Sequence, residues 1–76
     1  MTKKEFEKRV AELITFDGAK AVSFNTSKDT DGLFKGLYIS RVIAIRNHVV
    51  YAYNAYQEPE ESNKEITVTY AKCLGA

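Results

Sequence analysis

The chain has 76 residues, of which 11 are basic and 10 acidic, for a formal charge of +1. A chain of this length makes one domain and buries only about 60–65% of its unfolded surface, so its own core is thin. Cys73 is the single cysteine and His48 the single histidine, which excludes an internal disulfide and leaves a Cys/His zinc site short of ligands.

A charge near neutral gives no net pull toward nucleic acid or acidic lipid. The first residues, MTKKEFEKRV, are charged with no apolar region behind them, so no signal peptide is expected. No apolar run approaches the roughly 20 residues of a membrane span. With a lone thiol, these features point to a cytoplasmic protein without disulfides. The sequon Asn25-Thr26-Ser27 is then idle. Small domains lean on a disulfide, a metal or a partner subunit, and here the partner is what remains.

Residues 2–16 are expected to form a helix. Thr2 is a candidate N-cap, and Glu5 three residues on completes a capping box. Phe6, Val10, Leu13 and Ile14 follow i, i+4, i+7, i+8 and make one apolar stripe. Asp17-Gly18 ends it, glycine supplying the left-handed turn.

After Gly18 the period changes to two. Residues 19–26 make a short strand with Val22 and Phe24 on one face, and 27–32 a polar turn. Residues 33–46 read as a long strand bent at Gly36. Asn47-His48 is a hairpin turn, since both residues tolerate positive φ better than most. Residues 49–57 return as the third strand, Glu58-Pro59 stops it, and 58–63 is a mobile acidic loop. Residues 64–73 form the fourth strand, with Ile66, Val68 and Tyr70 on one side. Short links imply an antiparallel meander. The expected fold is therefore α+β: an N-terminal helix packed on one face of a four-stranded antiparallel meander sheet.

Register divides the tyrosines between faces. A two-residue turn at Asn47-His48 pairs position i with position 95 − i. Ile39, Ile43, Ile45, Val50, Ala52 and Tyr56 then share one face. Tyr38, Val42, Ala44, Tyr51, Tyr53 and Ala55 share the other. A three-residue turn would slip the register and move Tyr51 and Tyr53 in among the isoleucines. The aliphatic face suits the helix stripe, together with Val22, Phe24, Ile66 and Val68. In that arrangement Tyr38, Val42, Tyr51 and Tyr53 stay uncovered, and apolar surface left over in this way marks an interface. The alternative is that tyrosine is simply common in strands, where its ring covers a neighbour and its hydroxyl reaches water.

Other candidates carry less. Asp29-Thr30-Asp31-Gly32 has part of an EF-hand spacing, but position twelve would be Tyr38 in place of a glutamate, so it reads as turn chemistry. Glu58, Glu60 and Glu61 lie in a surface loop with no rigid placement. Cys73 and His48 have no orienting third residue. Arg41 interrupts the isoleucines and is read as a rim or interface arginine.

The expected function is a small non-enzymatic protein-binding module, with a homodimer as one form of that binding and with no cofactor and no metal. Its contact set is Tyr38, Arg41, Val42, Arg46, Tyr51 and Tyr53. Accessory or inhibitory proteins of phages and mobile elements often have this size, a base-rate expectation that no residue here carries. The alternative is a single-stranded nucleic-acid binder using the same tyrosines with Lys35 and Arg46.

Overall fold

A computed structural model describes residues 1–32, 35–58 and 65–75. The order is α1 (Lys3–Phe16), β1 (Lys20–Lys28), β2 (Tyr38–Arg46), β3 (Val49–Gln57) and β4 (Ile66–Gly75). The strands form one antiparallel sheet in the order β1-β2-β3-β4, with the helix against it. The α+β meander expected from the sequence is therefore the fold.

Helix α1 starts where its capping chemistry places it. The Thr2 side chain accepts the Glu5 amide at 3.1 Å, and the Glu5 carboxylate accepts the Thr2 amide at 2.8 Å. Two otherwise orphaned donors are satisfied by each other's residue. These hydrogen bonds from Thr2, backbone first, hold the Glu5 carboxyl below its ordinary value. At the far end Asp17 caps and Gly18 turns away at φ 82.

The β2–β3 hairpin settles the register. Ile39 pairs with Tyr56, Val42 with Tyr53 and Ile45 with Val50, each pair summing to the position rule of a two-residue turn. Asn47 and His48 have φ of 52 and 65, the doubly left-handed turn that matches strand twist.

The face assignment is the opposite of the expected one. Phe6, Val10 and Ile14 are fully buried against Val42, Ala44, Tyr53 and Ala55. Tyr38, Tyr51, Phe24, Ile66 and Val68 pack around that cluster. The helix thus covers the tyrosine face and lies on the side opposite the isoleucine face. A steric reason is on hand. Ala44, Ala55 and Val42 are small, so the centre of this face admits a helix closely, and the rings form a wall around it. A phenol at the wall buries its ring and carries its hydroxyl to the rim, where a partner is available.

Two further expectations are corrected. The strand expected over 33–46 begins at Tyr38. Gly36, at φ 79, and backbone bonds from Asp29 to Leu37 and from Gly36 to Asp29 make the preceding stretch a turn; Leu33 and Phe34 lie outside the described residues. Val22, expected in the core, is 57% exposed, because the register slips between Ala21 and Ser23 and leaves it as the extra residue of a bulge. Most of the expected acidic loop, 59–63, with Glu60 and Glu61, also lies outside the described residues.

Polar groups beneath the helix are paired. Buried Gln57 accepts the Tyr38 amide at 2.8 Å, and buried Ser40 accepts the Thr26 hydroxyl at 2.9 Å. Among the described residues no buried side-chain nitrogen or oxygen lacks a partner.

Candidate functional site

Paired residues of an antiparallel ladder share a face, so the helix-free surface reads directly from the register. Four rows cross it. Lys20, Ile45, Val50 and Gly75 form the row nearest the Asn47-His48 turn. Next come Ser23, Ile43, Ala52 and Lys72, then Asn25, Arg41, Asn54 and Thr69, and last Ser27, Ile39, Tyr56 and Thr67. The two middle strands contribute an aliphatic strip interrupted by one polar row. The two outer strands contribute hydroxyls, an amide and two lysines. An apolar centre inside a polar rim is how protein interfaces are built.

The strip is uneven. Ile45 is 41% exposed, while Ile39, Ile43 and Val50 are half-buried by their neighbours. At the end away from the turn lies an open depression of about 490 Å³. Ile39 and Tyr56 line it with Asn25, Arg41, Asn54 and Asp29. Charge is uneven too. Lys20, Arg41 and Lys72 are the only charged groups in the four rows. Beyond the last row stand Asp29, Glu58 and Glu65, with Thr67 donating to the Glu58 carboxylate at 2.5 Å.

The residues singled out from the sequence divide between the faces. Arg41 is exposed on the helix-free side. The other five lie on the helix side, opposite to the uncovered face on which they are expected. Val42 is fully buried and Tyr53 is 2% exposed, so neither offers a surface. Tyr38 stacks at 5.5 Å on Phe6, and the Lys28 ammonium sits 4.8 Å from its ring centre. Tyr51 meets Tyr70 edge-on at 5.8 Å and carries the Arg46 guanidinium 4.7 Å from its centre. Arg46 also reaches Asp17, donating to its carboxylate and its carbonyl at 3.3 Å each. These side chains fasten the end of the helix to the sheet. Sequence reasoning missed Ile39, Ile43, Ile45, Val50 and Tyr56 as surface. Their alternation was visible, but the side the helix takes was not.

A second hollow, of about 390 Å³, runs between the end of α1 and β4, beside Leu13, Phe16 and Tyr70. Much of it is accounted for, since Tyr70 packs edge-on against both Tyr51 and Tyr53. Phe16 is 89% exposed, and nothing in the fold explains it.

Cys73 and His48 do not come together. Cys73 is exposed and pairs in the ladder with Tyr51. His48 is exposed at the hairpin tip, and no hydrogen bond joins the two. Among the described residues no three His, Cys, Asp or Glu side chains gather as a metal site, and no helix is long and apolar enough to cross a membrane. No family model, curated protein or solved structure matches the chain.

Proposed function

We propose that the protein is a small non-enzymatic protein-binding module that acts through the helix-free face of its sheet. One observation supports the reading above others. The strip formed by Ile39, Ile43, Ile45 and Val50 lies on the side opposite the helix core, and the chain has no second helix among its described residues to cover it. A monomer that needed no partner would gain solubility from charge at those positions. The edges argue in the same direction. Both outer strands carry bulges, at Val22 in β1 and at Ala71 and Leu74 in β4. Bulged edges resist strand addition, which leaves the face as the contact surface.

The nucleic-acid alternative fits less well. Lys20, Arg41 and Lys72 supply cations, but Tyr38, Tyr51 and Tyr53, the rings that would stack bases, are engaged under or beside the helix.

The test is chemical cross-linking in host lysate with the wild type, Ile43→Asp and Phe16→Ser. Complexes formed by the wild type are expected to vanish with Ile43→Asp and persist with Phe16→Ser. Complexes that survive Ile43→Asp would overturn the reading. Complexes that dissolve steeply with added salt whatever their partner would favour nucleic acid.

A further inference from the structure

We infer that the helix-free face is closed by a second copy of this chain, laid face to face and head to tail. This rests on the binding reading and names its partner. The face is uneven in two ways along the strand direction, and the two agree.

The first is shape. Ile45 is the exposed isoleucine at the turn end, while the depression lined by Ile39 and Tyr56 lies at the other end, three rows away. A two-fold axis in the interface plane, perpendicular to the strands, sets the exposed Ile45 of each copy toward the depression of the other. One self-complementary patch then makes a closed dimer.

The second is charge. Lys20 and Lys72 occupy the half nearer the turn, while in the far half Arg41 is outnumbered by Asp29, Glu58 and Glu65, so that end is net acidic. The same axis lays β1 over β1, which brings Lys20 of one copy toward Asp29 of the other. An axis along the strands would instead bring both cationic ends together, at a cost in repulsion. Shape and charge therefore select the same one of the two face-to-face arrangements.

Area is sufficient. Four strands about 4.8 Å apart, each about 30 Å long, present a face of roughly 600 Å². Two such faces bury about 1,200 Å², the lower limit of stable specific interfaces. A sandwich of two sheets is also an ordinary way to bury one bare face of each.

The test is sedimentation equilibrium from low micromolar to millimolar protein. It compares the wild type with Ile45→Asp, Lys20→Asp, the double variant Lys20→Asp/Asp29→Lys, and Phe16→Ser. Ile45 and Lys20 are exposed, so circular dichroism is expected to show all variants folded. The wild type is expected to dimerise. Ile45→Asp should raise the dissociation constant about 30-fold or more, as loss of a central interface anchor does. Lys20→Asp should raise it about fivefold, and the double variant should recover most of that. Phe16→Ser should change nothing. A wild type monomeric at every concentration, or a dimer indifferent to Ile45→Asp, overturns the inference. A double variant no better than Lys20→Asp overturns the head-to-tail arrangement. If the wild type is monomeric while Ile43→Asp still abolishes lysate complexes, the second copy falls and the binding reading stands. If those complexes ignore Ile43→Asp, the reading itself falls.

Discussion

The hydroxyl of Tyr53 donates to the carboxylate of Asp17 at 2.7 Å. That contact ties the residue capping the helix to the centre of the sheet, and the Arg46 guanidinium reaches the same carboxylate. A tyrosine ring can therefore be core while its hydroxyl is a fastening.

Replacing Tyr53 with Phe keeps the ring and removes the fastening. The expected loss is about 0.5–1.5 kcal/mol, because Asp17 is 55% exposed and keeps water as an alternative partner. Urea denaturation would measure it. The phenol also links stability to pH. Burial first, then the bond to Asp17 and its charge, raise the Tyr53 pKa above its ordinary value. The unfolded chain then gives up this proton at lower pH than the folded one. The contribution is whole below about pH 10, the unfolded value, and is lost as pH rises through the folded value. Alkaline unfolding should be less steep in Tyr53→Phe, and equal slopes would place the hydroxyl in water.

The two faces should respond unequally to truncation. Phe6→Ala removes a fully buried ring and should cost about 3–5 kcal/mol. Ile43→Ala is expected to cost less than about 1.5 kcal/mol in dilute protein, since its side chain is only half-buried. Thermal denaturation of the two variants side by side checks this, and a larger loss for Ile43→Ala would put the helix on the isoleucine face.

His48 sits at φ 65 in the hairpin turn. Glycine adopts that conformation without steric cost, so His48→Gly should stabilise the fold by about 0.5–1 kcal/mol. A loss of stability on that substitution, read from the same denaturation curves, would speak for a different turn.

The helix cap offers a local test. Thr2→Ala should cost about 1 kcal/mol. Glu5 has its pKa lowered mainly by hydrogen bonds from Thr2, so its contribution is present above the ordinary carboxylate value and fades as pH falls through the lowered one. In Thr2→Ala the Glu5 carboxyl should titrate nearer its ordinary value by NMR. The backbone amide of residue 2 survives that substitution and keeps part of the lowering, so an unchanged titration would mean that the Thr2 hydroxyl takes no part in the cap.

What the sequence revealed and concealed follows from the physics of alternation. Period two assigns side chains to faces, and the Asn47-His48 turn sets the pairing, so the division into an isoleucine face and a tyrosine face was readable. Nothing in a period says which face a helix prefers when both are apolar. That choice rests on Ala44 and Ala55 giving the helix room, and on Asp17 lying where Tyr53 and Arg46 can reach it, facts of three dimensions. The bulge at Val22 hid for a similar reason, since one extra residue leaves the letters alternating while the backbone slips. Gly36 in the sequence signals a bend within a strand, yet its left-handed backbone belongs to a turn, and the strand starts two residues later.

The most direct measurement is solvent paramagnetic relaxation of the isoleucine methyl groups, using a soluble gadolinium chelate at low and high protein concentration. In dilute protein the methyls of Ile43 and Ile45 should be strongly attenuated and those of Ile14 protected, and at high concentration Ile43 and Ile45 should become protected as well. Protection of Ile43 in dilute monomer, together with attenuation of the Tyr53 ring, would contradict the account.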